Sequence, residues 1–307
     1  MLSDIAAALA HYETILEPDE NIPEWWAGAP SVTRGDDGTF YLAARMREGR
    51  SPRGLRGYCV RILASPDGRH FTPIHELHRD VVGVPVFERP ALARDPHTGR
   101  FKLYLCSGLE RGWTILKLED AERPDQFDPQ TVHRVLWEDY PEDGLIYRTG
   151  HKDPFVFWDG AIWHMFTIGT DRVERIAHHV SEDGEQWQSA GPQPVLENTG
   201  WHNFYTRPAC VVPLRVGYLF VYEGSHLSWH DPVYNIATGL AYSPDLRTFY
   251  DLTPDAPLLQ STTPGSCQTW RYSHWLPVEN SLYVYFEAAR PNNTNEIRMG
   301  VITPPVW

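Results

Sequence analysis

Lys152-Asp153-Pro154-Phe155-Val156 passes through a glycine turn into Ile162-Trp163-His164-Met165-Phe166, and this stretch decides the fold because it recurs. Gly28-Ala29-Pro30-Ser31-Val32 leads in the same way to Phe40-Tyr41-Leu42-Ala43, and Glu88-Arg89-Pro90-Ala91-Leu92 to Phe101-Lys102-Leu103-Tyr104-Leu105. Thr206-Arg207-Pro208-Ala209-Cys210 leads to Tyr218-Leu219-Phe220-Val221-Tyr222. Arg271-Tyr272-Ser273-His274-Trp275, which lacks the proline, leads to Leu282-Tyr283-Val284-Tyr285-Phe286. The prolines at 30, 90, 154 and 208 are 60, 64 and 54 residues apart. Several short apolar strands in each unit of that length read as propeller blades.

A second device repeats within the units. Ser65-Pro66-Asp67-Gly68 runs on to Phe71, Ser181-Glu182-Asp183-Gly184 to Trp187, and Ser243-Pro244-Asp245-Leu246 to Phe249. Asp-Gly suits a tight turn between outer strands, and the aromatic that follows packs between blades. These aspartates are turn formers, not acids of a site. The whole is read as all-β, a single five-bladed β-propeller over residues 1–307 with a short N-terminal helical segment. Approximate blades are 24–80, 81–145, 146–200, 201–262 and 263–307, with 1–23 as a helix and closure segment. A ring must close, so either one terminus lends a strand to the other's blade or the Met1–Leu16 helix plugs one end.

Composition agrees. Twenty-six prolines and 23 glycines are dispersed along the 307 residues, as frequent turns require and a disordered tail does not. The net charge of −13, with no lysine or arginine run, excludes an ordinary nucleic-acid binder. Cys59, Cys106, Cys210 and Cys267 form no C-x-x-C pair and lie near apolar runs, so they read as buried thiols. The N-terminus lacks a basic n-region and an apolar h-region, and no stretch is long enough to span a bilayer. A cytoplasmic location and no membrane or nucleic-acid partner are the expectations; oligomeric state is left open.

In a propeller, the leading ends of the innermost strands converge on one mouth. The residues there are Glu24, Trp25 and Trp26; Glu88 and Arg89; His151, Lys152 and Asp153; Tyr205, Thr206 and Arg207; and Arg271, Tyr272 and His274. The ends of the second strands add Arg45, Glu223, His226, Glu287 and Arg290. Carboxylates, cations and aromatic faces around one opening suit a small-molecule sugar or glycoside. Each acid also has a structural reading, because Glu88 beside Arg89 and Asp153 beside Lys152 can simply form ion pairs between blades. Arg207, Arg271 and Arg290 can pair with such acids or bind an anionic group of a substrate. His178-His179 and His226 with His230 do not have a metal-site spacing.

The run Lys152 to Phe157, with its glycine turn and aromatic strand, resembles the five-bladed glycosidase superfamily, which includes glycoside hydrolase families 43, 62, 32, 68 and 130. Tyr205-Thr206-Arg207-Pro208 through Glu223-Gly224 is similar to the fourth blade of families 43 and 130. The resemblance implies two carboxylates that protonate the leaving oxygen and activate water or attack the anomeric carbon. It places the acid-orienting aspartate of family 43 on Asp153. The other two family 43 positions fall on Ala29 and Thr206, so that triad is not present. Glu88, in the blade where families 32, 68 and 130 place acids, and Glu223 are the replacement candidates, with Glu24 behind them. The expected catalytic set is therefore Asp153, Glu88 and Glu223.

The resemblance also implies a possible Ca2+ or Na+ in the channel held through a fifth-blade histidine, which would be His274; no other cofactor is required. The leading expectation is a glycoside hydrolase-like enzyme that cleaves or transfers a glycosidic bond. The alternatives are a non-catalytic carbohydrate or metabolite binder, a phosphorylase, or a biosynthetic enzyme on the same scaffold.

Overall fold

The computed structural model describes residues 2–52, 54–108, 112–137, 148–171, 173–191, 194–229 and 235–303. The repeated turns show why the chain folds back on itself where it does. In the first, Asp67 Oδ1 accepts the backbone N–H groups of Arg69 and His70, each at 2.9 Å, and Ser65 Oγ accepts that of Gly68 at 2.9 Å. Asp183 and Asp245 accept in the same way from residues two and three positions on, and Ser181 and Ser243 from residues three positions on. The aspartates are turn formers, as their sequence context implies. Gly68 and Gly184 have φ of +74° and +75°, and the carbonyl of each accepts from a buried tyrosine hydroxyl, Tyr285 at 2.7 Å and Tyr104 at 2.8 Å. A Cβ at either glycine would lie within 2.8 Å of that hydroxyl. The third copy has Leu246 at φ +57°, packed in one apolar cluster with Phe166, Ile176 and Phe220.

Among the described residues, the strands pair as five antiparallel groups of four. The first holds Trp26–Arg34, Phe40–Arg47, Gly57–Ser65 and Thr72–His78. The second holds Ala91–Arg94, Phe101–Gly108, Trp113–Lys117 and His133–Leu136. The third holds Arg148–Trp158, Trp163–Asp171, Val173–Ser181 and Gln188–Ser189. The fourth holds Tyr205–Pro213, Tyr218–Ser225, Ala237–Ser243 and Tyr250–Asp251. The fifth holds Trp270–Val278, Ser281–Ala289 and Asn295–Ile302, and its outer strand is the N-terminal Glu13–Leu16.

That last pairing decides how the chain closes. The helix expected over Met1–Leu16 spans only Leu2–Leu9; Glu13–Leu16 is extended and pairs with Asn295–Ile302. Thr14, Ile15 and Leu16 explain the change, since two of these three residues are β-branched and favour a pleated edge over a helix. Ile5 and Leu9 on the short helix are buried against the apolar layer of the fourth and fifth groups.

Successive groups touch in one repeated way. A parallel bridge joins the start of a third strand to the start of the next group's first strand, at Trp113–Gly150, Glu174–Tyr205, Ile236–Thr269 and Asn295–Trp26. The first and second groups meet through Phe87 N–H donating to Gly57 O at 2.9 Å. Two of these junctions demand glycine, because a Cβ at Gly57 would sit 1.8 Å from Phe87 O and one at Gly150 would sit 2.1 Å from Trp113 O. The expected blade boundary at 145–146 lies outside the described residues. All four cysteines are buried and free. Among the described residues, no helix is long and apolar enough to cross a membrane.

Candidate functional site

Four of the five first strands carry an irregularity near their leading end. Register shifts interrupt pairing between Gly28 and Ser31, Lys152 and Phe155, Pro208 and Cys210, and Arg271 and His274. Ala29, Asp153 and Tyr272 stand at matching places in three groups with φ of +53°, +53° and +51°. A left-handed residue that is not glycine costs roughly 1–2 kcal/mol, so the surroundings must hold it. They do so by hydrogen bonds that cross the ring.

Asp153 is the hub of those bonds. Its Oδ1 accepts the Arg89 backbone N–H at 3.1 Å and its Oδ2 accepts the Tyr272 hydroxyl at 2.8 Å. Arg89, also fully buried, donates to Pro208 O at 2.8 Å and Ala209 O at 2.6 Å. The leading ends of the second, third, fourth and fifth groups are thus joined through the side chains of Arg89, Asp153 and Tyr272.

A second buried network lies beside the first. Arg45 reaches Glu88 at 2.5 Å and Glu287 at 3.1 Å. Glu287 also accepts from Arg271 at 2.8 Å, Asn295 Nδ2 at 2.6 Å and the Ala29 backbone N–H at 3.0 Å. Burial pushes the Glu287 carboxyl up, but Arg271, Arg45 and Asn295 outweigh it and hold the group below its ordinary value. The same balance acts on Glu88: burial raises it, and Lys152, Arg45, Arg47 and Arg271 pull it far below the carboxylate range. Lys152 Nζ stands 3.9 Å from Glu88 and 4.4 Å from the centre of the Trp113 ring. Glu88 is therefore an ionised carboxylate, 6% exposed, set among cations.

Glu223 is the opposite case. It pairs in register with Arg207, is 0% exposed, and among the described residues neither carboxylate oxygen makes a hydrogen bond of good geometry. Burial pushes its pKa up to about 7, against the attraction of Arg89, Arg207 and Arg271 and the nearby Tyr272 peptide. Arg207 is itself held by Glu174, to which its Nε donates, and its guanidinium lies 5.0 Å from the Tyr205 ring centre. Two buried carboxylates in neighbouring networks thus have pKa values driven in opposite directions, the pattern by which one carboxyl can donate a proton while another stays charged.

Most of the residues singled out from sequence come together here: Arg45, Glu88, Arg89, Lys152, Asp153, Arg207, Glu223, Arg271, Tyr272 and Glu287, with Trp26 between Arg47 and Arg271 at 4.3 and 5.2 Å. Others are engaged elsewhere. Glu24 pairs with Arg56, Trp25 packs on Tyr58, Arg290 pairs with Glu17 and Glu296, and His226 bonds Ser228. His151 Nδ1 is 3.1 Å from Thr167 Oγ1, and its ring meets that of His179 edge-on. His230 lies outside the described residues.

His274 Nδ1 accepts the Val32 backbone N–H at 3.3 Å, and its ring packs on Phe155. Burial, helped by the Arg89 charge, lowers its pKa to about 3, so it is a neutral imidazole. An adjacent guanidinium and an apolar ring do not suit a channel cation. The one group of metal-capable side chains among the described residues is elsewhere, at Cys59, Glu76 and His78, where Arg61 also bonds Glu76 at 2.6 Å.

Sequence reasoning missed Arg47, Glu174, Trp113 and Asn295. Arg47 had a signal, since it lies two residues beyond Arg45 and so shares its strand face. The other three begin third strands, which carry no motif in the repeat.

No family model matches the chain, and no curated protein matches it. Solved structures do. A glycosyl hydrolase from Bacteroides ovatus superposes with a TM-score of 0.72 at 14% identity, over 96% of this chain and 94% of that one. The β-1,2-mannobiose phosphorylase of Listeria innocua, in complex with β-1,2-mannobiose, gives 0.67 at 12% identity over 94% of each chain. The α-L-arabinanase of Penicillium chrysogenum, complexed with arabinobiose, gives 0.60 at 16% identity over 95% and 97%. The chain shares their all-β propeller fold, and at these identities the likeness concerns the fold.

Proposed function

We propose that the chain is a glycoside-processing enzyme that cleaves or transfers a glycosidic bond, built as one propeller whose five strand groups are its five blades. The observation that carries this reading is the opposed pair of buried carboxylates, Glu88 held ionised and Glu223 poised near pH 7. In this reading Glu223 donates a proton to the leaving oxygen, and Glu88 attacks the anomeric carbon or activates the attacking water. Asp153 is a positioning residue. Both of its oxygens are committed to Arg89 and Tyr272, and it fixes the strand ends that present the other two. No step is assigned to a channel cation. Structural neighbours that process sugars support a carbohydrate as the substrate.

The test is turnover of an oligosaccharide panel, with and without inorganic phosphate, by the wild-type chain and by Glu88→Gln and Glu223→Gln. Each variant should lose about 100-fold or more in turnover, the usual scale for removing a general acid or base. Turnover unchanged in both folded variants would sink the assignment. Product formation that requires phosphate would identify a phosphorylase.

A second reading has its own observation. Ala29 and Thr206 carry no carboxyl where family 43 enzymes keep theirs, and the Thr206 hydroxyl is used to bond Asn198 at 2.7 Å. A propeller that binds sugar without cleaving it fits those two positions. Saturable sugar binding with no product in the same panel would favour it.

A further inference from the structure

One buried guanidinium of the ring, that of Arg47, has no hydrogen-bond acceptor among the described residues. Arg47 is 7% exposed, yet among the described residues it has no ion-pair partner and no hydrogen-bond acceptor, and its Nε is buried without a partner. The carboxylates that act on it most are already committed. Glu88 is taken by Arg45, with Lys152 beside it, and Glu287 by Arg45, Arg271, Asn295 and the Ala29 peptide. The guanidinium lies over the Trp26 ring at 4.3 Å, so one face is covered while its edge of N–H donors is left unmatched. Lys152 is partly buried, and among the described residues its ammonium has the 3.9 Å approach to Glu88 and the Trp113 ring at 4.4 Å but no hydrogen-bond acceptor.

Removing a cation from water without a counter-charge costs several kcal/mol, and a packed apolar side chain would avoid that cost. The charges of the described ring make the same point. Arg45, Arg47, Arg89, Lys152, Arg207 and Arg271 outnumber the carboxyl groups of Glu88, Asp153, Glu174, Glu223 and Glu287, even before Glu223 is discounted as a proton-holding group, and among the described residues the Arg47 guanidinium has no acceptor.

We propose that the substrate carries a carboxylate, as an acidic sugar does, and that this carboxylate docks on the edge of Arg47 with Lys152 beside it. This rests on the reading of the ring as a glycoside-processing site. A guanidinium edge matches the two oxygens of a carboxylate with parallel hydrogen bonds. A phosphate dianion brings a second charge next to ionised Glu88.

Calorimetric titration of the full chain with methyl glucuronide and galacturonate, methyl glucoside and galactose, and inorganic phosphate tests this. The acidic sugars should bind at least tenfold more tightly than their neutral counterparts. Arg47→Met should erase that preference, and Arg47→Lys should retain part of it. The melting temperature of Arg47→Met should not fall, since the substitution removes an uncompensated buried charge; this separates lost recognition from lost folding. Equal binding of neutral and acidic sugars, or a preference that survives Arg47→Met, overturns the inference and leaves the glycoside reading standing. Arg47-dependent phosphate binding as tight as that of the uronates overturns the acidic-sugar assignment. Failure of the wild-type chain to bind any of the sugars overturns the inference and counts against the glycoside reading as well.

Discussion

The Tyr272 hydroxyl donates to Asp153 Oδ2 at 2.8 Å, and both residues have left-handed backbones, at φ +51° and +53°. One hydrogen bond therefore ties two strained strand ends from opposite parts of the chain. Tyr272→Phe removes the donor and leaves a buried carboxylate oxygen without its partner, a loss of about 1–3 kcal/mol. Asp153→Asn can satisfy only one of its two donors, Tyr272 or the Arg89 peptide, so it should destabilise as well. Urea unfolding of the two single variants and the double variant checks this. If the bond is the shared element, the double variant should lose less than the two single losses added together. Full additivity would show that the two residues act independently.

Glu223 makes stability depend on pH in a particular direction. Its pKa is raised to about 7 in the folded chain, above the ordinary glutamate value of 4.5. Between those two values the folded state holds a proton that the unfolded state has released. Stability should therefore fall as pH rises from about 4.5 to about 7, by on the order of 3 kcal/mol from this group alone. Glu223→Gln keeps the neutral shape and removes the titration. Melting temperatures recorded from pH 4.5 to 8 should decline more in the wild-type chain than in the variant. Parallel curves would remove Glu223 as a buried titrating group, and with it the proton donor.

Glu88 gives the opposite sign. Its folded pKa is depressed, so its contribution is fully present above the ordinary glutamate value and is lost as pH falls below it. Arg45→Met leaves Glu88 with Lys152 as its ion-pair partner and takes one of two guanidinium partners from Glu287. Breaking a buried pair from one side typically costs about 3–5 kcal/mol. Arg56→Met, which removes the partner of half-exposed Glu24, should cost less than about 1 kcal/mol. Chemical denaturation of both variants near neutral pH checks the contrast, and equal losses would contradict the burial-based account.

The repeat was legible because apolar alternation and Ser-x-Asp-Gly turns are local, and local signals survive in a single sequence. Asp67, Asp183 and Asp245 could be set aside as turn formers on that basis, and their hydrogen bonds agree. The convergence of Glu88, Asp153 and Arg271 was legible too, because equivalent places in successive units must meet around a ring. What those carboxylates do once they meet was not legible. Glu88 and Glu223 look alike in sequence, and only cross-ring partners separate them: Arg45 bonds Glu88 directly, whereas burial of Glu223 outweighs the three guanidiniums near it. Glu24 and Arg290 failed for a related reason, since nearness to a strand end does not reveal which side of the backbone the side chain takes.

Closure of the ring rests on the N-terminal segment. Glu13–Leu16 covers the outer edge of Asn295–Ile302, and Ile5 and Leu9, 1% and 4% exposed, pack against the layer beneath. Burying two such side chains contributes roughly 3–6 kcal/mol, before any backbone bond of the edge is counted. A chain beginning at residue 18 loses both contributions and exposes a long unpaired strand, which favours edge-to-edge association. It should melt well below the full chain and form soluble oligomers or aggregate at micromolar concentration. Adding residues 2–17 as a separate peptide should restore part of the melting temperature, because the pairing does not need a covalent link once the groove is formed. Differential scanning fluorimetry with and without the peptide, alongside size-exclusion chromatography, checks this. A truncated chain as stable and monomeric as the full one would mean that the ring is held by the Asn295–Trp26 junction alone.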